Sequence, residues 1–355
     1  MNAAIQSARA LLSALPRASL GFFPTPVYRL NRLSERLGIE LYIKRDDFTG
    51  MNLFGGNKVR KLEFLLGEAV ARGATHAITY GATQSNHAME TAAACRRMGI
   101  EPILYLTAVV EPDAAGLRSN LLLDSVLGAE IHIVPIMPGE SEADAEARSF
   151  EMGAARAAEL NDSDRLCVDI PMGGASPLGS VGFAAGMVEL AEQMEALGLP
   201  RFTRVYHSTG TGGTMAGLHA GRAMLGMDTE IVSVAASPKD EPAYLEKVYG
   251  LTQDVLALLG SPILPDRSAL HLDLTQWMPG YEQPSAAANE AIRLLAREEG
   301  LFVDPVYTGK ALAGLLADVE SGAIRQGEPV LFWHTGGATS LFAEPEILGD
   351  LLGER

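Results

Sequence analysis

The chain is predicted to be an α/β protein of two domains, each an open, mostly parallel twisted sheet with helices on both faces. Three observations predict this. Short apolar runs alternate with amphipathic helical segments along the sequence, a pattern that builds parallel sheets covered on both sides. The 355 residues, 47% of them hydrophobic, can bury cores for about two domains. Four strand-to-helix junctions carry polar or glycine-rich sequence, at the strand ends where open parallel sheets collect ligands.

The strands are expected at LYIKR (41–45), HAITYG (76–81), EPILYLT (101–107), EIHIVPI (130–136), RVYHST (204–209), EIVSVAA (230–236) and PVLFWHT (329–335). Helical spacing of apolar residues marks the segments Met187 to Leu197 and Ala287 to Glu298, and another beginning at Val59. There is no internal repeat and no low-complexity linker. The segment PMGGASPLGSVGF (171–183) reads as the crossing between domains, because its prolines and glycines break both periods.

Composition excludes several function classes. A formal charge of −16 without a Lys/Arg cluster argues against binding nucleic acid or anionic lipid. No apolar run approaches the roughly 20 residues of a membrane span, and the opening MNAAIQSARALLSALPRA is too polar for a signal peptide, so a cytoplasmic protein is expected. Cys95 and Cys167 read as buried small hydrophobes rather than a disulfide or metal pair, and no metal site is expected.

The most informative stretch is GGNKVRKLEFL, Gly55 to Leu65. Its periodicity places Asn57 and Lys58 at a helix N-terminus, where the helix dipole disfavours a cation. That position and partial burial behind the Gly55-Gly56 turn lower an ammonium pKa and leave a neutral amine able to attack a carbonyl, as a Schiff-base lysine does. An exposed lysine following a turn is the competing reading. In VYHSTGTGGTMAGLHAG, a strand runs through Gly210, Thr211, Gly212, Gly213 and Thr214 into a helix, so converging N–H groups and a helix N-terminus form a cradle for a monophosphate. No Walker lysine follows and the dinucleotide spacing is missing; a plain tight turn remains the alternative. Ser85, Asn86 and His87 open a helix, where they serve as caps or as a carboxylate site. His334 and Thr335 precede Gly336-Gly337, and Tyr307 and Thr308 precede a helix in a turn fixed by Pro305 and Gly309.

These motifs resemble the pyridoxal-phosphate enzymes of fold type II, tryptophan synthase β-like, in the branch of D-cysteine desulfhydrase and 1-aminocyclopropane-1-carboxylate (ACC) deaminase. IKRDD, GGNKVRKLEFLL, QSNH, the glycine loop, DPVYTGKALAGL and HTGGA occur in the family's order, from about Phe22 to near the C-terminus. The resemblance implies pyridoxal 5'-phosphate held covalently by Lys58, with Asn57 on its phenolic oxygen, the loop Gly210 to Thr214 on its phosphate and Thr335 at its ring nitrogen. It implies that Ser85, Asn86 and His87 take the substrate carboxylate, that Tyr281 and Tyr307 stand over the reacting carbons, and that Thr308 lies beside the substrate. It also implies a large cofactor-binding domain of residues 1–52 and 170–355, a small domain of 53–169 carrying the carboxylate loop, and a homodimer.

The implied reaction is an α,β-elimination on a small amino acid. D-cysteine giving pyruvate, sulfide and ammonia leads; L-cysteate sulfo-lyase, ACC deaminase and lyase activity on another β-substituted or D-amino acid are the alternatives. A non-enzymatic protein binding a phosphate ligand is the reading from a different class. FTGMNLF, closing on Phe54, has the length associated with the deaminase, whereas Thr308 stands where deaminases have a glutamate and the histidine of QSNH favours the desulfhydrase. Met89 and Glu90 replace the Arg-Gln of many desulfhydrase-like sequences. Facing the site, Glu90 would repel an anionic substrate side chain; the sequence leaves its direction open.

Overall fold

The computed structural model describes residues 2–52, 55–109, 117–162, 164–283 and 285–342. Phe54 and its deaminase-like loop closure lie outside the described residues. In chain order the first half comprises α1 (Asn2–Leu12), β1 (Val27–Arg29), α2 (Asn31–Leu37), β2 (Glu40–Arg45), α3 (Lys58–Ala71), β3 (His76–Ala82), α4 (Asn86–Met98), β4 (Glu101–Ala108), α5 (Ser119–Val126), β5 (Glu130–Pro135), α6 (Glu142–Leu160) and β6 (Cys167–Ile170). There follow α7 (Pro177–Leu197), β7 (Arg204–Thr209), α8 (Gly213–Leu225), β8 (Glu230–Ala235), α9 (Glu241–Leu258), β9 (Leu270–Asp273), α10 (Ala286–Glu299), α11 (Thr308–Glu320) and β10 (Pro329–His334).

The strands form two sheets. Six of them lie in the order β1-β2-β10-β7-β8-β9, and four in the order β5-β4-β3-β6. Every pairing is parallel except β1 on β2, as the alternation of strand and helix requires. One core lies between the six-stranded sheet and α1, α7 and α8, another between its opposite face and α2, α10 and α11. Cys95 and Cys167 are free and buried in α4 and β6.

The glycine-rich segment 171–183 leads from β6 of the four-stranded sheet into α7, which packs on the six-stranded sheet, though helix already begins within it. It supplies a 3-10 turn, Met172–Gly174, and then the first turns of α7, which begins at Pro177 with Ser176 as its cap. Its glycines permit close helix packing. A Cβ on Gly182 would lie 2.3 Å from the Arg60 carbonyl oxygen, and one on Gly217 of α8 would lie 2.1 Å from the Ser180 carbonyl oxygen. Both contacts would be clashes, so glycine lets α7 approach α3 and α8 backbone to backbone.

A buried ion cluster fixes α3 against α7 and the sheet. The Arg60 guanidinium donates to Asp46 at 2.7 Å twice and to Glu189 at 3.0 and 2.9 Å. The Trp333 indole donates to Asp46 at 2.7 Å, and the Lys44 ammonium contacts Glu189. Burial pushes the Glu189 carboxyl up, but the Arg60 and Lys44 charges outweigh it and hold it down at about 2. The start of α3 is therefore anchored two residues beyond Lys58.

Candidate active site

Lys58 is the first residue of α3 and is half-buried. Thr49 pins the turn before it, its hydroxyl accepting from the Gly56 N–H at 2.9 Å and donating to the Gly56 carbonyl at 2.9 Å. Burial lowers the Lys58 ammonium pKa, and the Glu90 charge partly restores it. Asn57 leaves the helix uncapped. Its backbone N–H instead donates to the Thr335 carbonyl at 3.0 Å, and its side chain donates to the Thr214 hydroxyl at 3.3 Å. The lysine, the glycine loop and the end of β10 are thereby tied together.

The loop after β7 has the geometry of an anion cradle. Gly212 sits at φ +96°, a conformation that L side chains rarely adopt, and turns the chain into α8, whose opening N–H groups have no helical acceptor. A Cβ on Gly213 would lie 3.0 Å from the Lys61 Nζ and 3.0 Å from the Ala175 Cα, so a side chain there would crowd the cradle. Lys61 is buried and donates to the Gly173 carbonyl at 2.9 Å. Burial first, and the Lys58 charge second, push its pKa well below the usual lysine range. A buried lysine amine that an adjacent anion would protonate, beside the free N–H groups of a helix start, is what a phosphate needs, so these residues fit the phosphate of pyridoxal 5'-phosphate.

The other junctions converge on the same place. The Ser85 hydroxyl caps α4 by accepting from the Ala88 N–H at 3.2 Å, which leaves its own proton free to donate. Asn86 accepts from Asn120 at 2.7 Å and from Thr339 at 3.1 Å, and its amide nitrogen is 3.1 Å from where a Gly337 Cβ would stand. His87 turns inward: Nε2 lies 2.8 Å from the Thr79 hydroxyl, and burial, then the nearby lysine charges, keep the ring neutral. Of the three consecutive residues, Ser85 thus retains a free donor while His87 is engaged beneath the helix. Thr335 is buried, its hydroxyl 3.3 Å from that of Ser208.

Tyr281 and Tyr307 meet, hydroxyl to hydroxyl, at 2.5 Å. Burial above all raises both phenols, so they stay protonated; one proton fills their shared bond and the other is free. Lys310 holds this pair in register. From α11, directly after Tyr307, its ammonium donates to the carbonyls of Trp277 at 3.1 Å and Gly280 at 2.7 Å, in the loop that carries Tyr281. Thr308 is buried and engaged by Asp304, whose carboxylate also accepts from the N–H groups of Val306, Tyr307 and Thr308 at 2.9, 2.8 and 2.8 Å. Four donors therefore occupy the Asp304 carboxylate as the N-terminal anchor of α11.

Residues 18–336 match the family described as "Pyridoxal-phosphate dependent enzyme". The chain belongs to this family. It is 38% identical over 336 residues to the D-cysteine desulfhydrase of Salmonella newport, a match covering 94% of this chain and 97% of that protein. A solved structure titled as an ACC deaminase homologue superposes with a TM-score of 0.84 at 34% identity, covering 96% of this chain and 98% of that one. The chain is therefore a pyridoxal-phosphate-dependent enzyme of the D-cysteine desulfhydrase and ACC deaminase family, with the fold type II architecture. Family membership overturns the reading as a non-enzymatic phosphate-ligand binding protein.

The sequence reading missed Lys61, Asp304 and Lys310 as site residues. Lys61 lies three residues after Lys58 on the same face of α3, a spacing that could have found it. Asp304 lies just before α11 as a helix anchor, a recognisable capping signal. Lys310 bonds only backbone carbonyls 30 and more residues away, which no local pattern reveals.

Proposed function

We propose that the chain holds pyridoxal 5'-phosphate through Lys58 and eliminates a β-substituent from a small amino acid, with D-cysteine giving pyruvate, sulfide and ammonia as the leading reaction. The observation that carries this reading is the convergence of the Asn57, Thr214, Thr335 and Tyr307 loops around one half-buried lysine. When bound, the cofactor supplies an electron sink for the charge left at Cα.

The remaining work falls to the chain's own side chains. Gly210, Thr211, Gly212, Gly213, Thr214 and Lys61 would hold the phosphate, Asn57 the ring oxygen and Thr335 the ring nitrogen. A neutral Thr335 hydroxyl does not hold that nitrogen protonated, which suits elimination. The Ser85 hydroxyl and the opening N–H groups of α4 would bind the substrate carboxylate, with Asn86 and His87 bracing that turn. Lys58, with its lowered pKa, would take the proton from Cα as a neutral amine. The free phenolic proton of the Tyr281 and Tyr307 pair would face the departing sulfur.

One observation favours D-cysteine over ACC. Thr308 offers no basic group, and the neighbouring Asp304 carboxylate is filled by its four donors, so neither supplies a ring-opening acid or base. Glu90 turns toward the start of α3, where its carboxylate accepts from the Val59 N–H. We also read residues 1–52 and 170–355 as the cofactor-binding body and 53–169 as the smaller one, in a cytoplasmic homodimer whose mass sedimentation would test. The substrate is tested by a panel of amino acids, including D-cysteine, L-cysteine, ACC, L-cysteate and D-serine, scored for keto acid and ammonia. Turnover of ACC or cysteate ahead of D-cysteine would reject the assignment.

A further inference from the structure

Glu90 is a buried carboxylate at the start of the helix that carries Lys58. Its Oε2 accepts from the Val59 N–H at 3.1 Å, and a Cβ on Gly56 would fall 2.4 Å from its Oε1. Only glycine at position 56 lets the carboxylate approach the backbone this closely. The contact answers a physical need: α3 has no side-chain cap from Asn57, and the N-terminus of a helix favours a negative charge. The carboxylate comes from α4, 32 residues beyond Lys58 in sequence.

A cap needs no charge, and here a charge is costly because the site is buried. Serine or asparagine would satisfy the same N–H group, as Ser85 does for α4. Burial raises the Glu90 carboxyl to about 8, with the Lys58 charge pulling the other way, so its negative charge is held by a protonated Lys58 beside it. The two groups act on one another, since Glu90 is also what raises Lys58 against its own burial. Burial and the helix dipole both strip basicity from Lys58. A lysine depressed too far is a weak acceptor for the proton at Cα, because a base works best with its pKa near the operating pH.

We propose that Glu90 is a positioning residue that sets the basicity of Lys58: its carboxylate is the counter-charge that keeps this half-buried, helix-starting amine basic enough to hold a proton taken from substrate. The inference rests on Lys58 being the cofactor lysine. The charged groups facing Glu90 are Lys58 and Lys61, both from α3. His87, one turn earlier on α4, is neutral. Tyr80 of β3 and Tyr105 of β4 turn to the other face of their sheet, toward Phe150 and His132, and Asp124 of α5 responds to burial alone.

The test reads the ionisation of Lys58 in the full-length protein stripped of cofactor, by reductive methylation across a pH series with the label on the Lys58 peptide quantified by mass spectrometry. Glu90→Gln keeps the shape and the acceptor for Val59 while removing the charge. It should lower the midpoint of Lys58 labelling by at least about one pH unit, the effect of an opposite charge at close range. Glu90→Asp, which retracts the charge by one methylene, should fall between. A Gln variant with an unmoved midpoint overturns the proposal, as does an Asp variant that drops as far as Gln, since lost capping would then be the cause. Should the Gln variant not fold, an Asp midpoint identical to the parent's overturns it. Borohydride reduction of the cofactor-loaded parent separates the two readings: a tag on another lysine sinks the Lys58 assignment, whereas a tag on Lys58 with unmoved midpoints sinks the role of Glu90 alone.

Discussion

Replacing Lys61 with methionine should have opposite effects on the empty and the cofactor-loaded protein. In the empty protein the Lys61 amine is buried against the Gly173 carbonyl at 2.9 Å, and burial, then the Lys58 charge, push its pKa well below the usual range, so holding a proton there is unfavourable. Methionine fills similar space without that desolvation, so the melting temperature of the stripped protein should hold or rise. With cofactor the same group faces the phosphate site, 3.0 Å from the Cβ position of Gly213. A hydrogen bond to a charged group contributes about 1.5–3 kcal/mol. Taking about 2 kcal/mol, Lys61→Met should weaken cofactor binding by about thirtyfold. Titration of pyridoxal 5'-phosphate into stripped parent and variant, followed by fluorescence, measures the ratio, and thermal melts of both forms give the stability side. Cofactor affinity within twofold of the parent would refute the phosphate role of Lys61; a stripped variant that melts far below the parent would refute the desolvation reasoning.

Three further outcomes are expected. Glu189 titrates at about 2 in the folded protein against about 4.3 in an unfolded chain, so it contributes about 3 kcal/mol that is present above the unfolded value and is lost as pH falls from about 5 to 2. Urea unfolding of Glu189→Gln should therefore show lower stability at pH 7 and a shallower decline in that acid window; parallel declines would refute the linkage. Lys310→Met frees the loop that places Tyr281, and should cut kcat by at least about tenfold while leaving cofactor affinity unchanged, since misplacing a catalytic group by an ångström costs about a hundredfold. General acid/base help is worth about 10² to 10⁴ in rate, so without it from Thr308 or Asp304 D-cysteine should exceed ACC by at least about a hundredfold in kcat/KM, or roughly 2.7 kcal/mol. Similar specificity constants would contradict that.

Much of this architecture is legible in the sequence, because parallel strands buried on both faces leave uninterrupted apolar runs. All seven expected strands occur within about a residue of their expected bounds. The strands β1 and β9, of three and four residues, are too short to establish a period, and β6 showed only as the apolar pattern around Cys167. Glycines 179 and 182 read as breakers, yet they lie inside α7, because what they permit is set by the close backbones of Gly174 and Arg60 on other elements. Site geometry was legible where it resides in a local motif, as at Lys58, the first residue of α3, and in the Gly210 to Thr214 turn into α8. It was illegible where function depends on a distant partner: the direction of Glu90, the inward turn of His87 onto Thr79, and the reach of Lys310 to the Tyr281 loop.

The central claim is that Lys58, held at the start of α3 by its neighbours, is the covalent attachment point of the cofactor. Borohydride reduction of the loaded protein, followed by tryptic peptide mapping, tests it most directly. The account predicts one cofactor-modified peptide, containing Gly55, Gly56, Asn57 and Lys58, and no such peptide from a folded Lys58→Ala variant that has also lost turnover. A modified peptide containing Lys61, Lys310 or any other lysine, or a Lys58→Ala variant that still turns over substrate, would contradict it.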